Sequence, residues 1–208
     1  MAADLAIAEL LENEGFTGPA AIRARAVLEE AGLTRQGKVR IAHSKLEQVR
    51  NLLHARLARL CGNPACADAA RGREVLQVHA SHCEACEGSP NRRAGRRAAR
   101  ALREQGVSRL LVLGGSPATQ ETLRQVLGEG FDLRCIDGNN GARTQARVWA
   151  DLAWAQVLVV WGSTYLPHKI STPYMENRPA GLRVVQVGRR GVEAVCEALA
   201  RSAHSSSK

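Results

Sequence analysis

Residues 109–115 read RLLVLGG, a continuous apolar run that ends in two glycines. A helix-like segment, TQETLRQVLGEG (119–130), follows this run, and a second strand-like run, DLRCIDG (132–138), comes next. Strands that are buried on both faces and separated by helices are typical of a parallel sheet with right-handed crossovers. The pattern therefore predicts an α/β fold for the second half of the chain.

The same alternation continues towards the C-terminus. It predicts a helix over 144–155, a strand over 156–163, a further strand over 182–188 and a closing helix over 192–202. We expect these segments to form a Rossmann-like domain over residues 106–202, with a four-stranded parallel sheet in the strand order 2-1-3-4. The remaining residues, 203–208 (AHSSSK), are expected to be a disordered tail.

Residues 1–60 predict a helical N-terminal segment. Short helices are expected over 3–13 and after Gly18-Pro19, and a longer helix is expected from about His43 to Leu60. Three helices joined by short turns could form a helix-turn-helix-like unit, but most segments of this kind are only a scaffold.

Four cysteines occur as two close pairs, Cys61-x4-Cys66 and Cys83-x2-Cys86. Zinc takes four thiolate or imidazole ligands in a tetrahedron, and each short turn can present two of them. We expect a hairpin between the pairs and a helix after them, in a treble-clef-like zinc module over residues 61–105. His79 and His82 are alternatives to one of the cysteines, and buried free thiols are the alternative to a metal. A closed set of four thiolates predicts structural zinc, not a catalytic metal.

The helix expected after Ser89-Pro90 is rich in arginine. Its candidate nucleic-acid-binding residues are Arg92, Arg93, Arg96, Arg97 and Arg100. Like charges three and four residues apart repel one another, and the phosphates of DNA or RNA would offset that cost. The net charge of +9 also favours a polyanionic partner. The alternatives are a solvated helix face, arginines paired with acids elsewhere, or an arginine-rich proteome.

The loops that follow the predicted strands carry candidate ligand-binding groups, since open parallel sheets bind ligands at the carboxyl ends of their strands. These residues are Gly114, Gly115, Ser116, Asp137, Ser163, Thr164, His168 and Lys169. Glycines, hydroxyls and cations suit a phosphorylated or nucleotide-like ligand, although the glycines and the acid also suit turns and caps. The chain lacks G-x-G-x-x-G, Walker, G-x-S-x-G and H-E-x-x-H motifs, so no residue is assigned a catalytic role.

The segments LLVLGG, RCIDG, QVLVVWGS, His168-Lys169 and LRVVQVG follow a strand-GG, strand-DG and HK pattern. From about Val107 to Leu199 this pattern resembles a family of short, uncharacterised bacterial Rossmann-like domains. The resemblance implies the fold and brings no activity with it. The layout is also similar to the Rossmann-like sensor domains of CRISPR-associated proteins, which bind cyclic oligoadenylates as dimers. That similarity lies at the level of the fold and implies that a homodimer is one option.

Bulk properties narrow the function further. No apolar run approaches the roughly 20 residues of a membrane helix, and the start of the chain lacks a basic secretory region, so a cytoplasmic protein without a membrane partner is expected. The favoured hypothesis is a zinc-containing, nucleic-acid-binding regulatory or accessory protein. Its Rossmann-like domain would bind a nucleotide-like or other anionic ligand or mediate dimerisation. A nuclease or nucleotide-processing enzyme, with its site at the strand ends, and a protein-binding assembly component are the alternatives.

Overall fold

The computed structural model describes residues 4–139, 143–162 and 166–205. The chain divides into two compact units, residues 1–89 and 90–208. The arginine-rich helix starts at this boundary and belongs to the second unit, whereas the sequence pattern grouped it with the cysteines. Within the described ranges, no helix is both long enough and apolar enough to cross a membrane.

The first unit begins with helices and two very short strands. These elements are β1 (Leu5–Ala6), α1 (Ile7–Asn13), α2 (Pro19–Glu30), β2 (Arg40–Ile41) and α3 (Leu46–Arg56). Strands β1 and β2 pair antiparallel. The three helices enclose one buried apolar cluster, in which Phe16, Leu28 and Leu53 are among the largest side chains. Burial of this cluster is what holds three short helices together.

Strand β3 (Leu57–Leu60) continues directly from α3 and pairs in parallel with strand β4 (Glu74–Gln77). The prediction that the third helix extends to residue 60 is therefore wrong. Leu57 already has φ −118° and ψ 139°, because its backbone belongs to the ladder with β4. Leu57 and Leu60 are nevertheless buried, so the apolar spacing indicated burial correctly while it misassigned the element.

The second unit alternates helices and strands. Its elements are α4 (Pro90–Glu104), β5 (Arg109–Leu113), α5 (Pro117–Leu127), β6 (Asp132–Ile136), α6 (Gln145–Trp154), β7 (Val157–Val160), α7 (His168–Glu176), β8 (Arg183–Gln186) and α8 (Val192–Ser205). The strands form one parallel sheet in the order β6-β5-β7-β8. The prediction of an α/β fold with a four-stranded parallel sheet is confirmed.

Helices cover both faces of this sheet. Along β5, Leu110 and Val112 join the apolar cluster on one face, and Leu111 and Leu113 join the cluster on the other. Side chains of α4, α5 and α8 complete the first cluster, and side chains of α6 and α7 complete the second. This two-sided burial explains why β5 is continuously apolar, since every side chain of a central parallel strand is covered.

The last helix is longer than the sequence pattern indicates. Helix α8 runs to Ser205, whereas a disordered tail was expected from residue 203 onwards. Ala203 is 2% exposed, and its carbonyl accepts a hydrogen bond from the Gln105 side chain. These contacts extend the helix past the predicted end. Residues 206–208 lie outside the described part of the chain.

Candidate metal centre and anion-binding surfaces

Four cysteine side chains of the first unit converge. Cys61 follows β3, Cys66 lies in a short 3-10 helix (Pro64–Ala70), and Cys83 and Cys86 follow β4. The four sulfur atoms all lie within 4.8 Å of one another. The Cys61 sulfur is 3.9 Å from that of Cys66 and 3.8 Å from that of Cys86. A tetrahedral metal with bonds of about 2.3 Å to sulfur spaces its ligands by about 3.8 Å, so this cluster could hold a metal ion.

Backbone amides favour the thiolate form within the cluster. Burial raises the pKa of the Cys83 thiol, but hydrogen bonds from the amides of Cys86, Ala85 and Cys61 outweigh it and bring the pKa to about 7. Burial raises the pKa of Cys61 and of Cys66. Because metals bind sulfur as thiolate, the turn after β4 prepares Cys83 to act as a ligand.

The two histidines that were alternatives to a cysteine do not join this cluster. Among the described residues, the group with metal-ligand geometry consists of the four cysteines alone. His79 instead caps the 3-10 helix Ala80–His82, and its Nδ1 lies 2.8 Å from the Ser81 hydroxyl. The ligand set indicated by the cysteine spacing is therefore the one that the fold assembles.

The connection between the two cysteine pairs differs from the expected hairpin. Strands β3 and β4 run in parallel, because the 3-10 helix after Cys61 carries the chain back before β4 begins. Arg71 and Gly72, with φ 49° and 79°, complete this reversal. The helix that follows Cys86 is α4, which belongs to the second unit and carries no cysteine. The expected hairpin is therefore wrong, whereas the helix expected after the second cysteine pair is present as α4.

Glu84 lies inside the second cysteine pair and ties it to the strands. Its carboxylate forms an ion pair with Arg73 and accepts a hydrogen bond of 3.2 Å from the Arg59 amide. The side chains of Glu84, Arg73 and Arg59 are 18%, 20% and 16% exposed. Arg73 also donates to the carbonyls of Leu57 and Ala69. The sequence did not reveal this network, since its members are far apart in the chain; an acid within C-x2-C was the one available signal.

Helix α4 carries small residues on one side and arginines on the other. Its buried residues are Ala94, Gly95, Ala98, Ala99, Ala101 and Leu102. At about 100° per residue, the six arginines from 92 to 103 fall within an arc of about 140° opposite this buried side. A Cβ atom on Gly95 would collide with the backbone of Val126 in α5. The close packing of the small face therefore forces the arginine face outward.

The five candidate arginines are at least partly accessible. Arg92 and Arg100 are exposed, and Arg93, Arg96 and Arg97 are half-buried. They consequently lie together on one helix face, as the sequence spacing indicated.

Glu104 and Glu197 lie near the arginine face, and Glu104 is 4.0 Å from Arg100. Glu197 of α8 lies 4.0 Å from Arg97, 3.5 Å from Arg189 and 3.8 Å from Arg201. One carboxylate shared by three guanidinium groups leaves this part of the surface positively charged.

The net positive charge of the protein comes entirely from the second unit. Residues 90–208 contain 18 Lys and Arg and 9 Asp and Glu, whereas residues 1–89 contain 11 of each. The whole excess of +9 therefore belongs to the α/β unit, and the helical and cysteine-bearing unit is neutral overall. This division could not be read from the sequence before the unit boundary was known.

Two of the strand-end candidates make local hydrogen bonds. Ser116 caps α5, and its hydroxyl accepts a hydrogen bond from the Thr119 amide. Asp137 accepts a hydrogen bond of 2.9 Å from the Asn139 amide. These are the capping and turn roles that serine and aspartate commonly fill. Both residues lie at the carboxyl ends of their strands, as expected.

The glycine pair follows β5, the strand at which the direction of strand addition changes. The chain passes from β5 to β6 on one side and then returns to add β7 on the other side of β5. Gly114 and Gly115 have φ 98° and 80°, a region that glycine adopts without strain. Gly115 packs against the indole of Trp161, which is fully buried and donates a hydrogen bond of 3.3 Å to the Arg189 carbonyl. The glycines therefore have a packing role in addition to any role in ligand binding.

The last four candidates follow β7. His168 and Lys169 begin α7 and are exposed. Ser163 and Thr164 lie outside the described residues, so the fold gives no position for their hydroxyls. Lys169 therefore adds one exposed cation to the segment that follows β7.

A buried carboxylate was missed at the sequence level. Asp151 of α6 is 6% exposed, accepts a hydrogen bond of 2.9 Å from the Tyr174 hydroxyl, and lies 3.2 Å from Arg134 and 3.3 Å from Arg143. Burial raises the pKa of Tyr174, and the hydrogen bond to the Asp151 carboxylate raises it further. The network connects β6, α6 and α7. Its signal in the sequence was an acid on the apolar face of a helix, which requires a partner.

Comparison of the chain with protein-family models, with curated proteins and with solved structures finds no match. The resemblance to short bacterial Rossmann-like domains therefore stays a prediction from the sequence pattern. Function has to be inferred from three chemical features of this chain: the cysteine cluster, the arginine face of α4 and the cationic groups of the loops.

Proposed function

We propose that this chain is a zinc-containing, nucleic-acid-binding protein with a regulatory or accessory role. The observation that carries the proposal is the placement of charge. The entire excess of +9 lies in the second unit, where six arginines form one face of α4. Phosphate groups bind guanidinium groups through charge-assisted hydrogen bonds, and an array of arginines suits a phosphate backbone.

The dimensions of α4 fit this role. At about 1.5 Å per residue, the arginines from 92 to 103 extend over about 16 Å. Successive phosphates of one DNA strand are about 3.4 Å apart along the helix axis, so this face is long enough to contact several of them. Helix α4 contains no aromatic residue, which favours contacts to the backbone over base stacking.

Zinc is the metal that we propose for the cysteine cluster. Four thiolates at tetrahedral separations are the ligand set that zinc prefers in structural sites, and the sulfur separations of 3.8 and 3.9 Å support this choice. Four protein ligands leave no position for water, so the metal would stabilise the first unit and would not activate a nucleophile.

For the strand ends we propose a nucleotide-like or other anionic ligand, or a homodimer contact. Support comes from the amino terminus of α5 beside the glycine pair and from two cations, Lys169 at the start of α7 and Arg190 in the loop before α8. The local hydrogen bonds of Ser116 and Asp137 are compatible with either role. This part of the proposal is secondary to nucleic-acid binding by α4.

The test is fluorescence anisotropy with labelled single- and double-stranded DNA and RNA across a salt series. A variant with Arg93, Arg96, Arg97 and Arg100 changed to Gln is expected to lose at least tenfold in affinity. Its plot of log affinity against log salt should be shallower by about three to four units, because about 0.9 counterions are released for each phosphate contact on B-DNA.

The matched control removes four positive charges elsewhere in the same unit: Arg109, Arg124, Arg147 and Arg178 changed to Gln. It is expected to bind within about threefold of the parent chain, because a distant charge acts only through the screened field. Equal losses in the two variants, or negligible binding to all four probes, would refute the proposal and leave the enzyme and assembly interpretations to be tested.

A further inference from the structure

We infer that the first unit contains a second anion site, a cavity that binds a phosphate group beside the loop between α2 and β2. The cavity has a volume of about 740 Å³, and its lining includes Thr34, Arg35, Gln36, Lys38 and Lys45. This volume is within the range of about 300–1,000 Å³ that small-ligand sites occupy. Every residue that lines the cavity belongs to the first unit, whereas α4 belongs to the second.

The charge at this cavity is entirely positive. No acidic residue lines it, and within the described residues Arg35, Lys38 and Lys45 form no ion pair. Elsewhere in the unit, five of the described acids form ion pairs, as Glu29 does with Arg25 at 3.0 Å. Three cations that share a concave surface repel one another, and a phosphate dianion would remove that repulsion.

Thr34 lines the cavity and carries a polar group without a partner. The residue is 8% exposed, and its hydroxyl is buried without a hydrogen-bond partner in the described chain. Buried polar atoms are almost always hydrogen-bonded, because an unpaired one lowers stability. A rotation of this side chain towards the cavity would let the hydroxyl donate to a phosphate oxygen.

The loop that presents these groups is anchored. The Arg25 guanidinium donates a hydrogen bond of 2.9 Å to the Lys38 carbonyl, and the Lys38 amide donates one of 3.1 Å to the Arg35 carbonyl. A Cβ atom on Gly32 or Gly37 would meet nothing within 4 Å, so the loop surface is open to a ligand. The cations are therefore held close together by the backbone while their side chains stay accessible.

The experiment uses inorganic tripolyphosphate as the probe, titrated into the full chain at low salt by isothermal titration calorimetry. We expect the Lys38→Gln/Lys45→Gln variant to bind at least tenfold more weakly than the parent chain. The control, Arg71→Asn/Arg147→Gln, also removes two exposed positive charges, and asparagine suits the φ of 49° at residue 71. It should bind within about twofold of the parent. Equal binding by the two variants, or no measurable binding by the parent, would overturn the site.

A labelled oligonucleotide distinguishes the two sources of a phosphate group. If the cavity takes nucleic-acid phosphates, the Lys38→Gln/Lys45→Gln variant weakens oligonucleotide and tripolyphosphate binding together. If it takes a small phosphorylated molecule, only tripolyphosphate binding weakens. When the calorimetry is repeated with the four α4 arginines also replaced, the Lys38→Gln/Lys45→Gln change should still lower tripolyphosphate affinity tenfold. The proposal for the cavity and the proposal for the α4 surface are therefore tested separately.

Discussion

A Cβ atom at Gly115 would lie 2.8 Å from two ring carbons of Trp161, so only glycine fits between the end of β5 and this buried indole. The φ of 80° at Gly115 also disfavours any side chain. Trp161 cannot easily move aside, because it is fully buried and its ring nitrogen donates to the Arg189 carbonyl. The glycine that the sequence associates with a ligand is thus required for packing at the strand ends.

We expect Gly115→Ala to lower the free energy of unfolding by about 2–4 kcal/mol, from steric overlap combined with a strained backbone. Urea unfolding followed by tryptophan fluorescence measures this loss. Gly188→Ala is the matched control, since a Cβ atom there meets no heavy atom within 4 Å, and it should change stability by less than about 1 kcal/mol. Similar losses in the two variants would contradict the packing role of Gly115.

The α/β half could be predicted from sequence because a strand that is buried on both faces consists of consecutive apolar residues. The run from 109 to 113 is apolar at four of five positions, and each of those four side chains is buried. Cysteine spacing likewise indicated the metal-ligand set, because each pair is brought together by its own turn. In both cases the decisive interactions are encoded by residues that are near one another in the chain.

Features that depend on distant partners could not be predicted. Residues 57–60 keep the apolar spacing of the preceding helix, yet they form a strand because Glu74–Gln77 pairs with them. The parallel sense of that pairing depends on the 3-10 helix in between, which has no strong sequence signature. The contact of Asp151 with Tyr174 and the cavity lined by Lys38 and Lys45 arise only when separate elements pack together.

Metal removal should destabilise the first unit. We expect about one zinc per chain by elemental analysis, and a fall of about 10 °C or more in the midpoint of thermal unfolding after chelation, because metal binding contributes directly to folding in such sites. Cys83→Ser should lower both zinc content and melting temperature, whereas Cys135→Ser, outside the cluster, should lower neither strongly. Metal-free protein whose melting is insensitive to chelators would rule out the structural zinc site.

The ion pairs of Glu84 should contribute more to the free energy of unfolding than exposed ion pairs do. Glu84→Gln would leave Arg59 and Arg73, each at most one-fifth exposed, without their carboxylate. We expect a loss of about 2–3 kcal/mol in denaturant unfolding, somewhat below the usual cost of breaking a fully buried pair. Glu121→Gln, which breaks an exposed pair with Arg124, should cost less than about 1 kcal/mol.

Zinc content measured on the Glu84→Gln sample separates two explanations. If the metal is retained while stability falls, the carboxylate itself supports the strands. Loss of metal would show that Glu84 acts by holding the cysteine turn in place. Stability equal to that of Glu121→Gln would contradict both explanations.

The hydroxyl of Tyr174 provides a pH-dependent contribution to stability. Tyr174→Phe deprives Asp151 of a donor at 2.9 Å, and we expect a loss of about 1–3 kcal/mol at pH 7, the range for a hydrogen bond to a charged group. Burial and the Asp151 carboxylate raise the pKa of Tyr174 in the folded protein, whereas the unfolded chain ionises this group near pH 10.

Above about pH 10 the folded chain therefore retains a proton that the unfolded chain has lost, and stability falls by up to about 1.4 kcal/mol per pH unit. The Phe variant lacks this ionisable group, so its stability does not fall for this reason above pH 10. The stability difference between the parent and Tyr174→Phe should thus be constant from pH 7 to about pH 9 and should shrink above pH 10. Urea unfolding of both proteins at pH 7.5, 9 and 10.5 measures it, and a difference that stays constant or grows at the highest pH would show that folding does not raise the pKa of Tyr174.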